Sequence, residues 1–287
     1  MLSLCLAVRN EENNLHYPLD SSYDLVDEII IIDGASTDST VKIAKSYGGK
    51  VKVFREKHET MFHINKQKAL DKASGDWILQ LDADEELTSA LKEEIKAVIG
   101  MDRKQLESYE NSLVEKKLFL RHQRLVSEKT GSEDIGQGDY VAFYVPRLNF
   151  FLGRFLRYGG VYPDGAIRLV KKGQARFPCR DIHEVMAVDG RVGWLQNPLY
   201  HYDSPTFKRY LERNRRYVAL MVKEMEKKAV TKTPANFIDY CLIKPLGWFF
   251  LTQLRHKGIL DGWRGVVFSF YSALRFPKAY LAYLKKK

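Results

Sequence analysis

Four consecutive isoleucines, Ile29 to Ile32, stand between Glu28 and Asp33. A strand with one wet face alternates apolar and polar residues, so an unbroken β-branched run belongs to a strand covered on both faces. That is the condition of a parallel sheet packed between helices. The neighbouring sequence repeats the arrangement. Leu2 to Val8, Val51 to Phe54 and Trp77 to Leu81 read as further buried strands, and between them polar turns lead into helical stretches ending near Tyr47 and Ala73. Ser39 or Asp38 can cap the first of these helices, and Gly48-Gly49 ends it. Strands alternating with helices give right-handed βαβ units and an α/β fold.

Beyond this half the pattern loosens. Thr88 to Ile99 reads as a helix with Leu91, Ile95, Val98 and Ile99 on one face, and residues 101–138 are polar, a helical or mobile insertion without a clear strand. Strand-like pieces return at Tyr140 to Val145, Ala166 to Val170, Val185 to Val188 and Leu199 to Tyr202, so the sheet is mixed there. Ser204-Pro205 then marks a boundary, with serine placed to cap a helix and proline to occupy its first turn. Two domains are expected: residues 1–205, which hold the α/β sheet, and residues 206–287, a helical appendage.

Charge divides at the same point. Residues 206–287 carry 18 Lys and Arg against 5 Asp and Glu, a net +13, which leaves −3 on residues 1–205. The basic segment is also aromatic, with Trp248, Phe249, Phe250, Trp263, Phe268, Phe270 and Tyr271. That pairing suits an anionic membrane surface, with packing on residues 1–205 or in a dimer as the blander alternative. Asp239, Lys244 and Pro245 interrupt the most apolar part, which reads as an interfacial helix pair and not a span. Three cysteines, Cys5, Cys179 and Cys241, without metal-ligand spacing, fit buried thiols in a reducing compartment. The short apolar start, with no basic residues ahead of it, is not a signal peptide. A protein on the cytoplasmic side, peripheral on the inner face of the membrane, is expected.

The chemistry gathers at strand ends. Asp82 and Asp84 leave the strand Trp77 to Leu81 at its carboxyl end, where open α/β sheets bind ligands. Two carboxylates at i and i+2 can serve a sugar hydroxyl and a divalent cation that also holds phosphate oxygens, a coordination that Mg accepts readily. An isolated Asp-x-Asp often does no more than end a strand. Here two other loops converge on the same edge, Val8 to Glu12 and Asp33 to Asp38, with Asp33 placed to accept hydrogen bonds from a base or ribose and Asn10 able to donate and accept.

These loops carry a resemblance. Val-Arg-Asn-Glu-Glu at Val8 to Glu12, Asp-Gly-Ala-Ser-Thr-Asp-Ser-Thr at Asp33 to Thr40, Asn65 through Ala69 ahead of Ala-Ser-Gly-Asp, and Leu-Asp-Ala-Asp-Glu at Leu81 to Glu85 resemble the motifs of the family 2 inverting glycosyltransferases. The first hundred residues carry it most strongly. Tyr162 to Val170, Asp181 to Glu184 and the Gly258 to Gly262 stretch are similar to the bacterial branch that includes the lipopolysaccharide core β-1,4-glucosyltransferases. The resemblance implies a GT-A fold, a Rossmann-like mixed sheet flanked by helices. It implies transfer from a nucleotide-diphosphate sugar, UDP-linked by preference, to a saccharide or lipid-linked acceptor.

By the same resemblance Val8, Asn10, Glu11, Asp33, Ser36, Lys68, Asp82 and Arg168 contact the donor. Asp82, Asp84 and His183 hold a divalent metal, Mg or Mn. Inversion needs a carboxylate at the acceptor hydroxyl, for which Glu184, Asp164 and Asp181 are the candidates, with Glu184 preferred because its place beside His183 would hold it near the acceptor and in the metal's field. Many relatives carry Glu-Asp where this chain has His183-Glu184. Blander readings accompany these assignments: His183 as an ordinary strand histidine, Arg168 on a solvated strand face, Asp164 as a turn residue, and Lys66 and Lys68 on a solvated helix face. Two rival functions also stand. The basic tail suits a nucleic-acid-binding protein, and the paired aspartates a metal-dependent nucleotidyltransferase, although no Gly-rich phosphate loop is present.

Overall fold

The computed structural model describes residues 1–130, 138–179 and 185–286. The chain forms two compact units, residues 1–147 with 163–201 and residues 148–162 with 202–287. In chain order come β1 (Leu2–Val8), α1 (His16–Ser22), β2 (Glu28–Asp33), α2 (Thr40–Ser46), β3 (Val51–Arg55), α3 (Phe62–Lys72) and β4 (Trp77–Leu81). β5 (Glu85–Glu86), α4 (Ser89–Ile99), α5 (Arg103–Ser112), α6 (Lys116–Thr130) and β6 (Tyr140–Val145) follow. Next are β7 (Arg147–Phe151), β8 (Arg154–Leu156), β9 (Ala166–Lys171), β10 (Ala175–Arg176), β11 (Ala187–Val188), β12 (Arg191–Trp194) and β13 (Leu199–Ser204).

Seven strands of the first unit make the main sheet, ordered β12-β6-β9-β4-β1-β2-β3. β4, β1, β2 and β3 are parallel, and β9 runs antiparallel to both β4 and β6. The sheet is therefore parallel on one side and mixed on the other, as the two halves of the sequence indicate. All six residues of β2 are buried. Ile29 and Ile31 pack with Leu4, Leu6 and the α4 residues Leu91, Ile95 and Val98, while α3 packs on β1 and β2, its Ala69 carbonyl accepting a bond from Cys5 Sγ at 3.2 Å. Covering both faces explains why these strands can be continuously apolar.

At the amino ends of the strands the chain must pass very close to itself. A Cβ on Gly75 would lie 2.6 Å from Ser3 Oγ and 2.9 Å from the Met1 carbonyl, so only glycine fits the turn that feeds β4. Its N–H donates to Ser3 Oγ, and Ser3, Ser74 and Lys52 all donate to the Glu28 carboxylate. Burial works against that charge, and the bonds from Ser3, Ser74 and Lys52 outweigh it, holding Glu28 at about 2.

The polar stretch after α4 folds as two helices as far as residue 130. α5 begins with a capping box in which Asp102 and Gln105 satisfy each other's backbone N–H groups, and Phe119 of α6 stacks on Trp194 at 4.6 Å. β12 was not apparent in the sequence because Gly193 breaks its apolar run. That glycine is required: a Cβ there would lie 2.3 Å from Glu110 Oε1. Glu110 is buried, accepts the Trp194 N–H, and is pushed up to about 7 by that burial. Its folded value lies above the ordinary one, so the carboxyl favours the fold at low pH and loses that contribution as pH rises from about 4.5 to 7. Glu110→Gln, which keeps the acceptor, should therefore raise stability at pH 8 by on the order of 2 kcal/mol and leave it unchanged at pH 4. Urea titrations at the two pH values check this.

In the second unit α7 (Phe207–Lys227) is capped by Thr206, whose hydroxyl accepts the Arg209 N–H at 3.2 Å. The cap falls two residues beyond the expected Ser204, because Ser204 is still the last residue of β13 and the helix begins only at Phe207. Tyr210 packs with Phe151 and Leu156, and Val222 and Met225 pack with Ala279 and Tyr280 of the last helix. Among the described residues no helix is long and apolar enough to cross a membrane.

Candidate active site

The carboxyl ends of β1, β2 and β4 bring the three sequence motifs together in the first unit. After β1, Asn10 has a φ of +55°, and after β2, Ala35 has +60°, a left-handed conformation that costs alanine energy and is kept only where surrounding bonds enforce it. Those bonds run between the two loops. Asn10 N–H donates to Ser36 Oγ at 2.9 Å, Thr37 N–H donates to Asn10 Oδ1 at 2.8 Å, Gly34 N–H donates to the Val8 carbonyl, and Glu11 N–H donates to Thr40 Oγ1. Val8, Asn10, Glu11 and Ser36 are thus parts of one interlocked pair of loops. Asp33 is fully buried, receives the Ser36 N–H at 3.2 Å and lies 3.5 Å from Arg55 Nε, so its carboxylate braces the second loop from within.

Behind them lies a buried ionic network that the sequence did not suggest. Continuing the register that sets Leu79 opposite Leu169 puts Arg168 beside Gln80. Arg168 Nη1 donates to Gln80 Oε1 at 2.5 Å, and Nη2 lies 2.6 Å from both Asp82 Oδ2 and Glu85 Oε1. Lys66 of α3 pairs with the other Asp82 oxygen. Arg147 Nη1 approaches Glu85 at 3.5 Å, and its Nη2 lies 3.0 Å from Asp164 Oδ2. Lys66 is 7% exposed and Arg168 4% exposed, so neither is on a solvated face. Lys68, two residues on, points elsewhere and pairs with Glu56 at 2.8 Å.

The two aspartates of the motif differ sharply as a result. Burial opposes the Asp82 charge, but Arg168 and Lys66 outweigh it and hold the carboxyl well below its usual range. Among the described residues no Lys or Arg pairs with Asp84. Burial, and then the negative fields of Asp82, Glu85 and Glu11, push it up to about 6. His201 on β13 brings Nε2 to 3.7 Å from Asp84 Oδ2, placed there by the antiparallel pairing of His201 with Glu85. Asp82 is therefore already neutralised, while Asp84 sits in an excess of negative charge that a cation would relieve. Among the described residues no three side chains form a ready-made metal cluster. Among the described residues Asp84 and His201 could contribute ligands, a carboxylate oxygen that suits Mg or Mn and an imidazole nitrogen that suits Mn, completed by water and phosphate oxygens.

Asp164 is described, with a φ of +39° and its partner Arg147. Asp181, His183 and Glu184 lie outside the described residues. Lys66, Gln80, Glu85, Arg147 and His201 are residues that the sequence reading left out of the site. Gln80 had a signal, a polar residue inside a run otherwise apolar, and Glu85 another, three residues from Asp82. His201 had none, because its relation to Asp84 exists only through the β5–β13 pairing.

The family model for glycosyl transferase family 2 matches residues 3–158, more than half of the chain, which includes β1 to β4 and all three loops. The chain belongs to this glycosyltransferase family. An uncharacterised glycosyltransferase of Rickettsia typhi is 24% identical over 96% of this chain and 86% of its own. A lipopolysaccharide core biosynthesis glycosyltransferase of Rhizobium meliloti, LpsC, is 23% identical over 96% of this chain and 91% of its own. A glycosyltransferase of Rickettsia bellii is 37% identical over 99 residues, about a third of each chain. Among solved structures, S. aureus TarS 1-349 in complex with UDP-GlcNAc covers 98% of this chain and 91% of its own at 13% identity, with a TM-score of 0.44. Family membership replaces the nucleotidyltransferase reading as the account of the Asp82 and Asp84 carboxylates.

Proposed function

We propose that this family 2 glycosyltransferase is a metal-dependent inverting enzyme that takes a UDP-linked sugar and transfers it to a saccharide or lipid-linked acceptor in bacterial envelope glycan synthesis of the lipopolysaccharide core kind. The observation that carries the reading is the Asp84 carboxylate, raised to about 6 among Asp82, Glu85 and Glu11 at the carboxyl end of β4, with His201 beside it. LpsC, similar over nearly the whole chain, supports the envelope assignment, and UDP-GlcNAc bound to TarS is in keeping with a UDP donor. A divalent cation held by Asp84 and His201 would neutralise the leaving diphosphate. The interlocked loops at Asn10 and Ser36 would hold the nucleoside, and Lys66 and Arg168 would keep Asp82 ionised and fixed in direction at the donor. Residues 1–205 are proposed as the catalytic domain and residues 206–287 as a helical region that keeps the enzyme peripheral on the cytoplasmic face of the membrane.

A screen of UDP, GDP and dTDP sugars by thermal unfolding tests the donor class. UDP sugars should raise the melting temperature only with Mn or Mg present, since a ligand bound to the folded state stabilises it by mass action. A GDP or dTDP sugar that stabilises while UDP sugars do not would overturn it.

The base is proposed to be Glu184, with Asp164 the rival already engaged by Arg147. Replacement by the amide keeps shape and removes basicity. Glu184→Gln should lower transfer roughly a hundredfold while UDP stabilisation persists, on the usual scale of general-base removal. Normal transfer by Glu184→Gln together with an inactive Asp164→Asn would assign the role to Asp164.

A further inference from the structure

The second unit contains a helical hairpin whose polarity is reversed. Its first arm runs from Pro234 to Arg255 as alternating α and π turns, and its second is the helix Trp263–Ala273. Between residues 237 and 254, every exposed side chain is Phe, Ile, Leu or Trp, with Gly247 the one exception. Ile238, Leu242, Leu246, Phe250 and Leu254 are each half exposed or more. Asp239 and Lys244 pair with each other at 2.6 Å with about a third of each side chain exposed, while the polar groups of Gln253, Thr252 and Trp248 point the other way. Gln253 is 5% exposed and donates to the Gly265 carbonyl at 3.0 Å and to Ser269 Oγ at 2.6 Å. Thr252 is buried, and Trp248 Nε1 donates to the buried Ser272.

The contact between the arms is made of small and polar residues. A Cβ on Gly265 would lie 2.0 Å from the carbonyl of Gly258 in the connecting turn, and one on Gly258 would lie 2.8 Å from the Thr252 carbonyl of the first arm, so the backbones close up through this turn. A helix pair in water buries its apolar side and exposes its polar one. Small residues and hydrogen-bonded hydroxyls and amides inside, with large apolar side chains outside, are the arrangement of helices solvated by lipid. Apart from Lys244, which is paired with Asp239, the cationic residues stand at the two ends of the first arm, Lys232 before it and Arg255 and Lys257 at its close, and the apolar face from Ile238 to Leu254 between them is about 24 Å long at 1.5 Å per residue. Positive charge flanking an apolar face complements an anionic bilayer and not a second copy of a unit that is itself basic.

We infer that the hairpin lies in the plane of one leaflet, with the face through Ile238, Leu242, Leu246, Phe250 and Leu254 buried among acyl chains and the basic ends at anionic headgroups. This deepens the peripheral placement proposed above by assigning the surface that makes it. Among the described residues no helix is both long and apolar enough to cross, so the inferred insertion is one-sided.

The test is flotation of the full chain with phosphatidylglycerol–phosphatidylcholine vesicles, comparing wild type, the double variant Leu242→Glu with Leu246→Glu, and Val114→Glu, an 88% exposed site in the first unit. Wild type and Val114→Glu should float at low salt, and the double variant should lose at least tenfold of its bound fraction while its melting temperature is kept. Trp263, 58% exposed, and Trp248, 39% exposed, should shift the emission to the blue on wild-type binding, since Trp77 and Trp194 are buried already. Equal flotation of wild type and the double variant would overturn the inference. So would a wild type that stays at the bottom and elutes as a dimer that the two glutamates dissociate, which would assign the face to a second copy. Metal-dependent stabilisation by UDP, measured on the same samples, reports on the donor site separately from either result.

Discussion

Asp84→Asn should abolish sugar transfer and at the same time make the empty protein more stable. The activity loss should exceed about a hundredfold, the scale of removing one preorganised electrostatic group from a transition state. The stability gain follows from the sign of the Asp84 shift. Its carboxyl is raised from 3.8 to about 6 by burial and by Asp82, Glu85 and Glu11, so the folded state binds the proton more tightly than the unfolded chain. Asp84 therefore costs no stability below pH 3.8, costs progressively more up to about 6, and the full amount above. An amide removes that cost, so at pH 7.5 without metal the variant should be more stable by up to about 3 kcal/mol, and at pH 3.5 by nothing. A cation must displace the same proton, so metal affinity in the wild type should fall as pH drops below 6. A variant less stable than wild type at pH 7.5, with transfer intact, would mean that Asp84 is an ordinary strand-end carboxylate.

The second large effect concerns Arg168, which should matter for folding as much as for chemistry. It bridges Gln80, Asp82 and Glu85, with 5% of its side chain exposed and none of Glu85's. Removing one partner of a buried ion pair leaves the other charge without compensation, at a cost of about 3–5 kcal/mol. Arg168→Met should lower stability by that amount in urea unfolding. Adding Glu85→Gln should restore a part of it, because the two positions share one interaction and their effects are not additive. A loss below about 1 kcal/mol for Arg168→Met would show that the network carries little of the fold.

The first four strands were legible because burial on both faces leaves a local mark. Ile29 to Ile32 admits one environment, and Leu2 to Val8 and Trp77 to Leu81 have the bounds in the structure that they have in the sequence. The motif loops were legible for a similar reason: each follows directly on such a strand. What the sequence hid depends on pairings between distant segments. Arg168 looks like the outward residue of an alternating strand until β9 is placed antiparallel to β4, when its side chain enters the interior beside Gln80. Lys66 and Lys68 differ by two positions on one helix, so composition could not tell that the first turns to Asp82 and the second to Glu56. The tail misled in the opposite sense. Its aromatic residues form one group by composition, yet Phe268 and Tyr271 pack on Tyr210, while Phe250, Trp263 and Phe270 remain exposed.

The claim on which the account turns is that the carboxyl end of β4 binds a diphosphate through a cation held at Asp84. Calorimetric titration of UDP into the wild type and Asp84→Asn, each in Mn and in EDTA, measures it directly. UDP should bind the wild type at least about tenfold more tightly with Mn than in EDTA, a difference of roughly 1.4 kcal/mol, and the Asp84→Asn protein should show no such gain. Equal UDP affinity in all four titrations would contradict it.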